Sequence, residues 1–98
     1  MNTSTRKPTT PGEMLRTGFL AELSISQENF ARHIGVTFTT ISKIINGHAR
    51  VTAEMAVKFG AALGTSPEFW LNAQMATDLW EIRQSGEKLP PPLVAEAS

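Results

Sequence analysis

Apolar residues recur at helical spacing through most of the chain, and capping residues divide them into five segments. Residues three, four and seven positions apart share one face of an α-helix, so each segment is predicted to be an amphipathic helix. The predicted starts follow residues whose side chains cap helix N-termini, namely Thr10, Ser26, Thr37, Thr52 and Ser66. The pattern therefore predicts an all-α fold of five helices.

Proline and glycine support the same boundaries. Proline at the first helical position favours helix starts at Pro11 and Pro67, and Thr10 with Glu13 has the pattern of a capping box. The second, third and fourth helices are each followed by a glycine that can end a helix: Gly35, Gly47 and Gly64. Gly18 lies inside the first helix, where it costs about 1 kcal/mol relative to alanine. This helix is therefore expected to depend on packing.

Residues 26–46 are predicted to form two short helices joined by a tight turn. The apolar face of the first helix consists of Phe30, Ala31 and Ile34. In the second helix the apolar stripe consists of Ile41, Ile44 and Ile45, and the opposite, polar face consists of Thr39, Ser42, Lys43 and Asn46. One face of the second helix is thus anchored in the core and the other is presented to a partner.

The last helical region carries apolar residues on more than one side. It runs to about Gln84, and a break near Thr77 is left open by the pattern. A small monomer covers one apolar stripe but hardly two, so part of this region is predicted to face a second copy of the chain. The candidates are Trp70, Leu79 and Trp80. The alternative, that both tryptophans lie in the monomer core, stays open and is favoured for Trp70.

Charge is distributed unevenly along the chain. The formal net charge is zero, but residues 1–50 contain six Lys/Arg against three Glu, and the remainder reverses this ratio. The basic half contains the predicted helix pair, an arrangement compatible with nucleic-acid binding. Because the totals cancel, we expect few phosphate contacts per protomer and a moderate dependence on salt.

Several classes of function are not expected from this sequence. Cysteine is absent, so disulfides and thiolate metal sites are excluded. No apolar run approaches the roughly 20 residues of a membrane span, and the N-terminus lacks a signal-peptide core, so a cytoplasmic location is expected. His33 and His48 lack a third ligand at metal spacing. No spacing indicates a catalytic centre, so no metal, cofactor or enzymatic activity is expected.

The chain length of 98 residues leaves room for one small domain, which would be marginally stable as a monomer. Residues 1–9 are polar and aperiodic and are predicted to be a flexible N-terminal tail. Residues 10–86 form the predicted domain, which ends in a dimerisation helix. Residues 87–98 contain three consecutive prolines, Pro90 to Pro92, and are predicted to be an extended tail.

The helix pair and its surroundings resemble a known family. A glutamine at the start of the first helix of the pair, the run A-R-x-x-G-V-T-x-x-T-I-S-K-I-I-N-G, and the basic loop after it are similar to the XRE, or lambda-repressor-like, helix-turn-helix family. The segments Val51–Ala56 and Ala62–Asn72, with the run LGTSPEFWLN, resemble its HigA/VapI branch, the antitoxins of addiction modules. The resemblance implies a five-helix, lambda-repressor-like DNA-binding domain.

The resemblance also assigns roles to single residues, because the second helix of the pair would lie in the major groove. Base-edge contacts would come from Phe38, Thr39, Ser42 and Lys43. Phosphate contacts would come from Gln27, Thr37, Thr40, Asn46, His48 and Arg50. Three alternatives stay open: Phe38 packs under a neighbouring helix, Thr40 bonds to its own helix, and Lys43 is merely solvated.

Three functional hypotheses follow. The leading one is a dimeric HigA-type antitoxin that binds a palindromic operator, represses its own operon and neutralises a cognate RNA-cleaving toxin by direct binding. The second is a stand-alone XRE-family transcriptional regulator without a toxin partner. The third is a protein-interaction module that has lost DNA binding, an idea to which the neutral total charge lends weight. The fold does not separate the first two hypotheses.

Overall fold

The computed structural model describes residues 6–94. Within this range the chain forms five helices and no strand: α1 over residues 11–23, α2 Gln27–Ile34, α3 Phe38–Ile45, α4 Ala53–Leu63 and α5 Pro67–Gln84. The predicted all-α, five-helix architecture is confirmed. Residues 6–9 and 87–94 contain no helix, and the outer parts of the two predicted tails, residues 1–5 and 95–98, lie outside the described residues.

Helix α1 begins with the predicted capping box. The Glu13 backbone N–H donates to Thr10 Oγ1 at 3.1 Å, and the Thr10 backbone N–H donates to the Glu13 carboxylate at 3.0 Å. This backbone hydrogen bond lowers the pKa of the Glu13 carboxyl below its ordinary value, because it favours the charged form. These two hydrogen bonds therefore define the start of α1 ahead of its apolar core residues.

The middle of α1 is π-helical, which the sequence pattern did not predict. The segment Met14–Leu20 is π-helix between short α-helical turns Pro11–Glu13 and Ala21–Leu23, and the Ala21 N–H bonds to the carbonyl five residues earlier. Leu15 and Leu20 are both buried. In an α-helix, residues five apart point about 140° apart. The wider π turn reduces this angle and lets both leucines reach the core.

The core is built from apolar residues of all five helices around an aromatic cluster. The Trp70 ring lies 5.0 Å from the Phe59 ring and 5.3 Å from the Phe19 ring, centroid to centroid. Trp70 has no exposed surface, and its indole N–H donates to Thr65 Oγ1 at 2.7 Å. This burial corrects the assignment of Trp70 to a dimer interface, because a side chain enclosed by its own chain has no surface left for a second copy.

Helix α5 continues without interruption through Thr77, so the break considered there does not occur. The Thr77 hydroxyl donates to the Ala73 carbonyl at 3.0 Å, which satisfies this buried polar side chain within its own helix. Helix α5 packs mainly along α4 and also contacts α1. It is therefore a single rod on one side of the domain.

Helix α1 crosses the C-terminal end of α3 at Gly12. A Cβ atom built on Gly12 would lie 2.3 Å from the Ile44 carbonyl oxygen and 2.7 Å from the Ile45 carbonyl oxygen. Such distances are below van der Waals contact, so only glycine fits this crossing. The position of α3 in the domain is thus fixed partly by the absence of one side chain on α1.

Gly18, six residues further along α1, has the opposite surroundings. It is exposed, and a Cβ there would meet nothing within 4 Å. We expect Gly18→Ala to raise the free energy of unfolding by about 0.5–1 kcal/mol, because alanine restricts the unfolded chain without a steric cost in the folded one. Urea denaturation followed by circular dichroism measures this change. An unchanged or lower midpoint would contradict it.

Candidate nucleic-acid interface

The two helices of the pair are set by their caps. Ser26 Oγ accepts from the Asn29 N–H at 3.0 Å at the start of α2, and Thr37 Oγ1 accepts from the Thr40 N–H at 3.1 Å at the start of α3. Between them Gly35 adopts a left-handed conformation with φ 79°, and the Val36 N–H returns to the Ala31 carbonyl at 3.0 Å. The turn between the helices is therefore held by a capping hydrogen bond at the start of each helix and by the left-handed Gly35.

Helix α3 is seated by its isoleucines. Ile41, Ile44 and Ile45 are all buried, while Thr39 and Lys43 on the opposite face are exposed. The predicted division into an anchored face and a presented face is thus seen directly. Neither Thr39 nor Lys43 forms a side-chain hydrogen bond within the described residues, so both are free to contact a partner.

Phe38 projects from the first turn of α3. Half of its surface is exposed, so of the two alternatives the structure selects exposure over packing beneath a neighbouring helix. An exposed phenyl ring beside Thr39 offers apolar surface at the end of the helix that would meet base edges. This is the chemistry that suits a thymine methyl group.

The small polar residues of α3 are largely engaged with their own helix. The hydroxyls of Thr37 and Thr40 lie 2.9 Å apart in a shared hydrogen bond. The Asn46 amide N–H group donates to the Ser42 carbonyl at 2.9 Å and lies 3.3 Å from the Ser42 hydroxyl. Asn46 would have to give up these bonds to donate to a phosphate, whereas Lys43 has no such bond to give up in the described residues.

The loop after α3 has a fixed geometry. Gly47 is left-handed with φ 79°, and the His48 N–H donates to the Lys43 carbonyl at 2.8 Å. His48 and Arg50 are exposed, and Arg50 forms an ion pair with Asp78 of α5. Gln27, at the start of α2, is half-buried. His48 and Arg50 follow α3 in the chain and Gln27 starts α2, and the contact of all three with DNA stays a prediction.

A second exposed feature lies on α5. Met75, Leu79 and Ile82 are 54%, 42% and 50% exposed, and their spacing of four and three residues places them on one stripe. Leu79 follows Trp70 by nine positions, so it points about 180° away from this core residue. Leu79 was a predicted interface residue. Met75 and Ile82 were missed, although their spacing from Leu79 was visible in the sequence.

Trp80 lies to the side of this exposed apolar stripe. It is half-buried, and the ammonium group of Lys7 lies 6.0 Å from the centroid of its ring. Its indole N–H is buried and has no hydrogen-bond partner among the described residues. Its role in a dimer stays a prediction.

Among residues 6–94, no helix combines the length and the apolar composition of a membrane span.

Comparisons with known proteins agree with this geometry. The family profile described as helix-turn-helix matches residues 19–70. Antitoxin HigA-1 of Vibrio cholerae is 46% identical over 85% of this chain and 78% of its own length. A helix-turn-helix-type transcriptional regulator of Haemophilus influenzae is 44% identical over 83% of this chain and 76% of its own.

A solved structure of related fold completes the comparison. The Pseudomonas aeruginosa antitoxin HigA, solved with the higBA promoter, is 33% identical and has a TM-score of 0.77. The similarity covers 88% of this chain and 99% of that one. The resemblance found in the sequence is confirmed: the chain belongs to the helix-turn-helix family, in the branch that contains the HigA antitoxins.

Proposed function

We propose that the protein is a dimeric DNA-binding antitoxin that represses its own operon and neutralises an RNA-cleaving toxin by direct binding. The observation that carries the DNA-binding part is the seating of α3, whose isoleucines are buried while Phe38, Thr39 and Lys43 are exposed. The toxin-binding part is supported by the 46% identity to antitoxin HigA-1.

In the proposed complex α3 enters the major groove with its first turn nearest the bases. Lys43 donates to guanine O6 or N7, and Phe38 or the methyl group of Thr39 meets a thymine methyl. The first turn contains no Arg, Gln or Asn, the side chains that most often read bases. Each half-site is therefore read with modest discrimination, and the shape of the duplex contributes a larger share.

The dimer is proposed to form through the exposed apolar stripe of α5. A two-fold axis would pair Met75, Leu79 and Ile82 with the same residues of the second copy, which removes from water the apolar face that the monomer leaves exposed. Two recognition helices about 34 Å apart would then reach successive major grooves, and a palindromic operator would match the symmetry of the protein.

Thr39 and Gln27 test the docking of α3. We expect Thr39→Ala to weaken binding to the operator more than binding to a scrambled duplex, because its contact is to a base edge. Gln27→Ala should weaken both alike, because its contact is to a phosphate. Fluorescence anisotropy with both duplexes measures this. An equal loss on the two duplexes for Thr39→Ala would contradict the docking.

A stand-alone regulator is the second candidate, favoured by the 44% identity to the Haemophilus influenzae transcriptional regulator. The antitoxin and the stand-alone regulator are distinguished by co-expressing the tagged protein with the short reading frames beside its gene and purifying it. Capture of a small protein that degrades RNA when free, and not when bound, supports the antitoxin. If no such protein is captured and operator binding is intact, the result supports the stand-alone regulator.

A further inference from the structure

A chain of hydrogen bonds ties α5 to the loop that follows α3. The buried Val51 backbone N–H donates to Gln74 Oε1 at 2.8 Å, and Gln74 Nε2 donates to Asp78 Oδ1 at 3.0 Å. The other carboxylate oxygen of Asp78 accepts from Arg50 Nη1. Both oxygens of Asp78 are therefore held, and the carboxylate has a fixed orientation towards Arg50.

The ion pair at the end of this chain is poorly placed to stabilise the fold. The Arg50 side chain is 64% exposed and that of Asp78 is 27% exposed. Ion pairs in such surroundings contribute little to stability because water screens them. What Asp78 does achieve is to restrict a long side chain that would otherwise sample many rotamers.

The restricted guanidinium lies where the proposed docking places a phosphate. Arg50 follows the C-terminal end of α3 and shares a cleft with Gly47 and His48. An arginine has several N–H donors in a fixed fork, and in the described part of the chain only Nη1 is engaged. The remaining donors are available to an anion at the surface.

We propose that Asp78 is a positioning residue for DNA binding, which holds Arg50 in the conformation that contacts an operator phosphate. The proposal rests on the DNA binding proposed above. Through Gln74 the same hydrogen bonds connect this contact to α5, the helix that carries the exposed apolar stripe. Arg50 is thereby oriented by the helix that, in the proposed dimer, sets the spacing of the two half-sites.

The direction in which DNA affinity changes when Asp78 is removed distinguishes a positioning role from the effect of its negative charge alone. Asp78 is negative, so removing it would by Coulomb repulsion alone tighten binding to DNA. Glu81 offers a matched control, because it is one turn further along α5, lines the same cleft and forms no hydrogen bond or ion pair with Arg50 in the described residues. Positioning predicts weaker DNA binding for Asp78→Ala and no loss of binding for Glu81→Ala.

The experiment measures operator affinity by fluorescence anisotropy across a range of salt concentrations. The proteins compared are the wild type, Arg50→Ala, Asp78→Ala, the Arg50/Asp78 double alanine variant and Glu81→Ala. We expect Asp78→Ala to bind about fivefold to tenfold more weakly. The slope of log K against log salt should fall by about 0.9 for each phosphate that the variant no longer neutralises. The double variant should bind no more weakly than Arg50→Ala, and Glu81→Ala should bind as tightly as the wild type or more tightly.

Three results would overturn the proposal. They are unchanged or tighter binding by Asp78→Ala, an additional loss from Asp78→Ala when Arg50 is already alanine, and an unchanged salt slope in an Asp78→Ala variant that binds more weakly. The last result would mean that Asp78 acts through the fold, and thermal unfolding of each variant reports that directly. If the wild type forms no salt-sensitive operator complex, the proposed function fails as well, whereas normal wild-type binding with an inert Asp78→Ala removes the positioning role alone.

Discussion

Gly12→Ala is expected to lower the free energy of unfolding by about 3 kcal/mol, a large share of the stability of a small domain. The added Cβ would lie 2.3 Å from the Ile44 carbonyl oxygen, 2.7 Å from the Ile45 carbonyl oxygen and 2.8 Å from Ile45 Cα. All three atoms belong to the backbone of α3, so no side-chain rotation relieves the overlap. Either α1 or the end of α3 must move.

The same displacement should weaken operator binding, because Gly12 touches α3 at the end from which the loop with His48 and Arg50 continues. Urea denaturation measures the stability, and anisotropy at a temperature where the variant is folded measures the affinity. Gly18→Ala is the matched control, since it makes the same substitution in the same helix and is expected to stabilise. A Gly12→Ala midpoint within experimental error of the wild type would show that the helix crossing is not tight.

Local features of the fold could be predicted from the sequence because their causes are local. A cap at Ser26 or Thr37 needs only a side-chain oxygen placed two or three residues before a free N–H, and the burial of Ile41 follows from helical periodicity. The left-handed glycine at Gly35 is likewise a matter of one residue's conformational freedom. Five helices and an outward-facing polar edge on α3 followed from such signals.

Features that depend on distant parts of the chain could not be predicted in this way. Gly12 looked like an ordinary first-turn residue, and only its contact with α3, about thirty residues later, gives it a role. The hydrogen bond from Val51 to Gln74 joins residues 23 positions apart, and the one from Arg50 to Asp78 spans 28. The π-helical turn of α1 also depends on which leucines the other helices have room to bury.

The tryptophans show where periodicity alone is ambiguous. Helix α5 has apolar residues on two opposite sides, and the sequence favoured a core position for Trp70 without deciding which side faces the core. Trp70 lies on the buried side of α5 against Phe59, and the exposed side is formed by Met75, Leu79 and Ile82. The sequence prediction named both tryptophans and Leu79 as interface candidates, whereas the exposed stripe of α5 consists of Leu79 with Met75 and Ile82.

Leu79→Glu is expected to split the proposed dimer and to lower operator affinity about 100-fold or more. Leu79 lies in the middle of the exposed stripe on α5, so in a two-fold interface each new carboxylate would lose its hydration and face the apolar stripe of the other copy. A monomer would bind one half-site and lose the contribution of the other.

Sedimentation velocity measures the change in mass, and anisotropy with the full operator and with a single half-site measures the change in affinity. The matched control is Leu93→Glu, the same substitution at a fully exposed residue beyond the end of α5, which should leave both mass and affinity unchanged. Half-site binding should be nearly equal in the wild type and in Leu79→Glu, because α3 is not altered. A Leu79→Glu protein that still sediments as a dimer would move the interface to another surface, with Trp80 as the next residue to substitute.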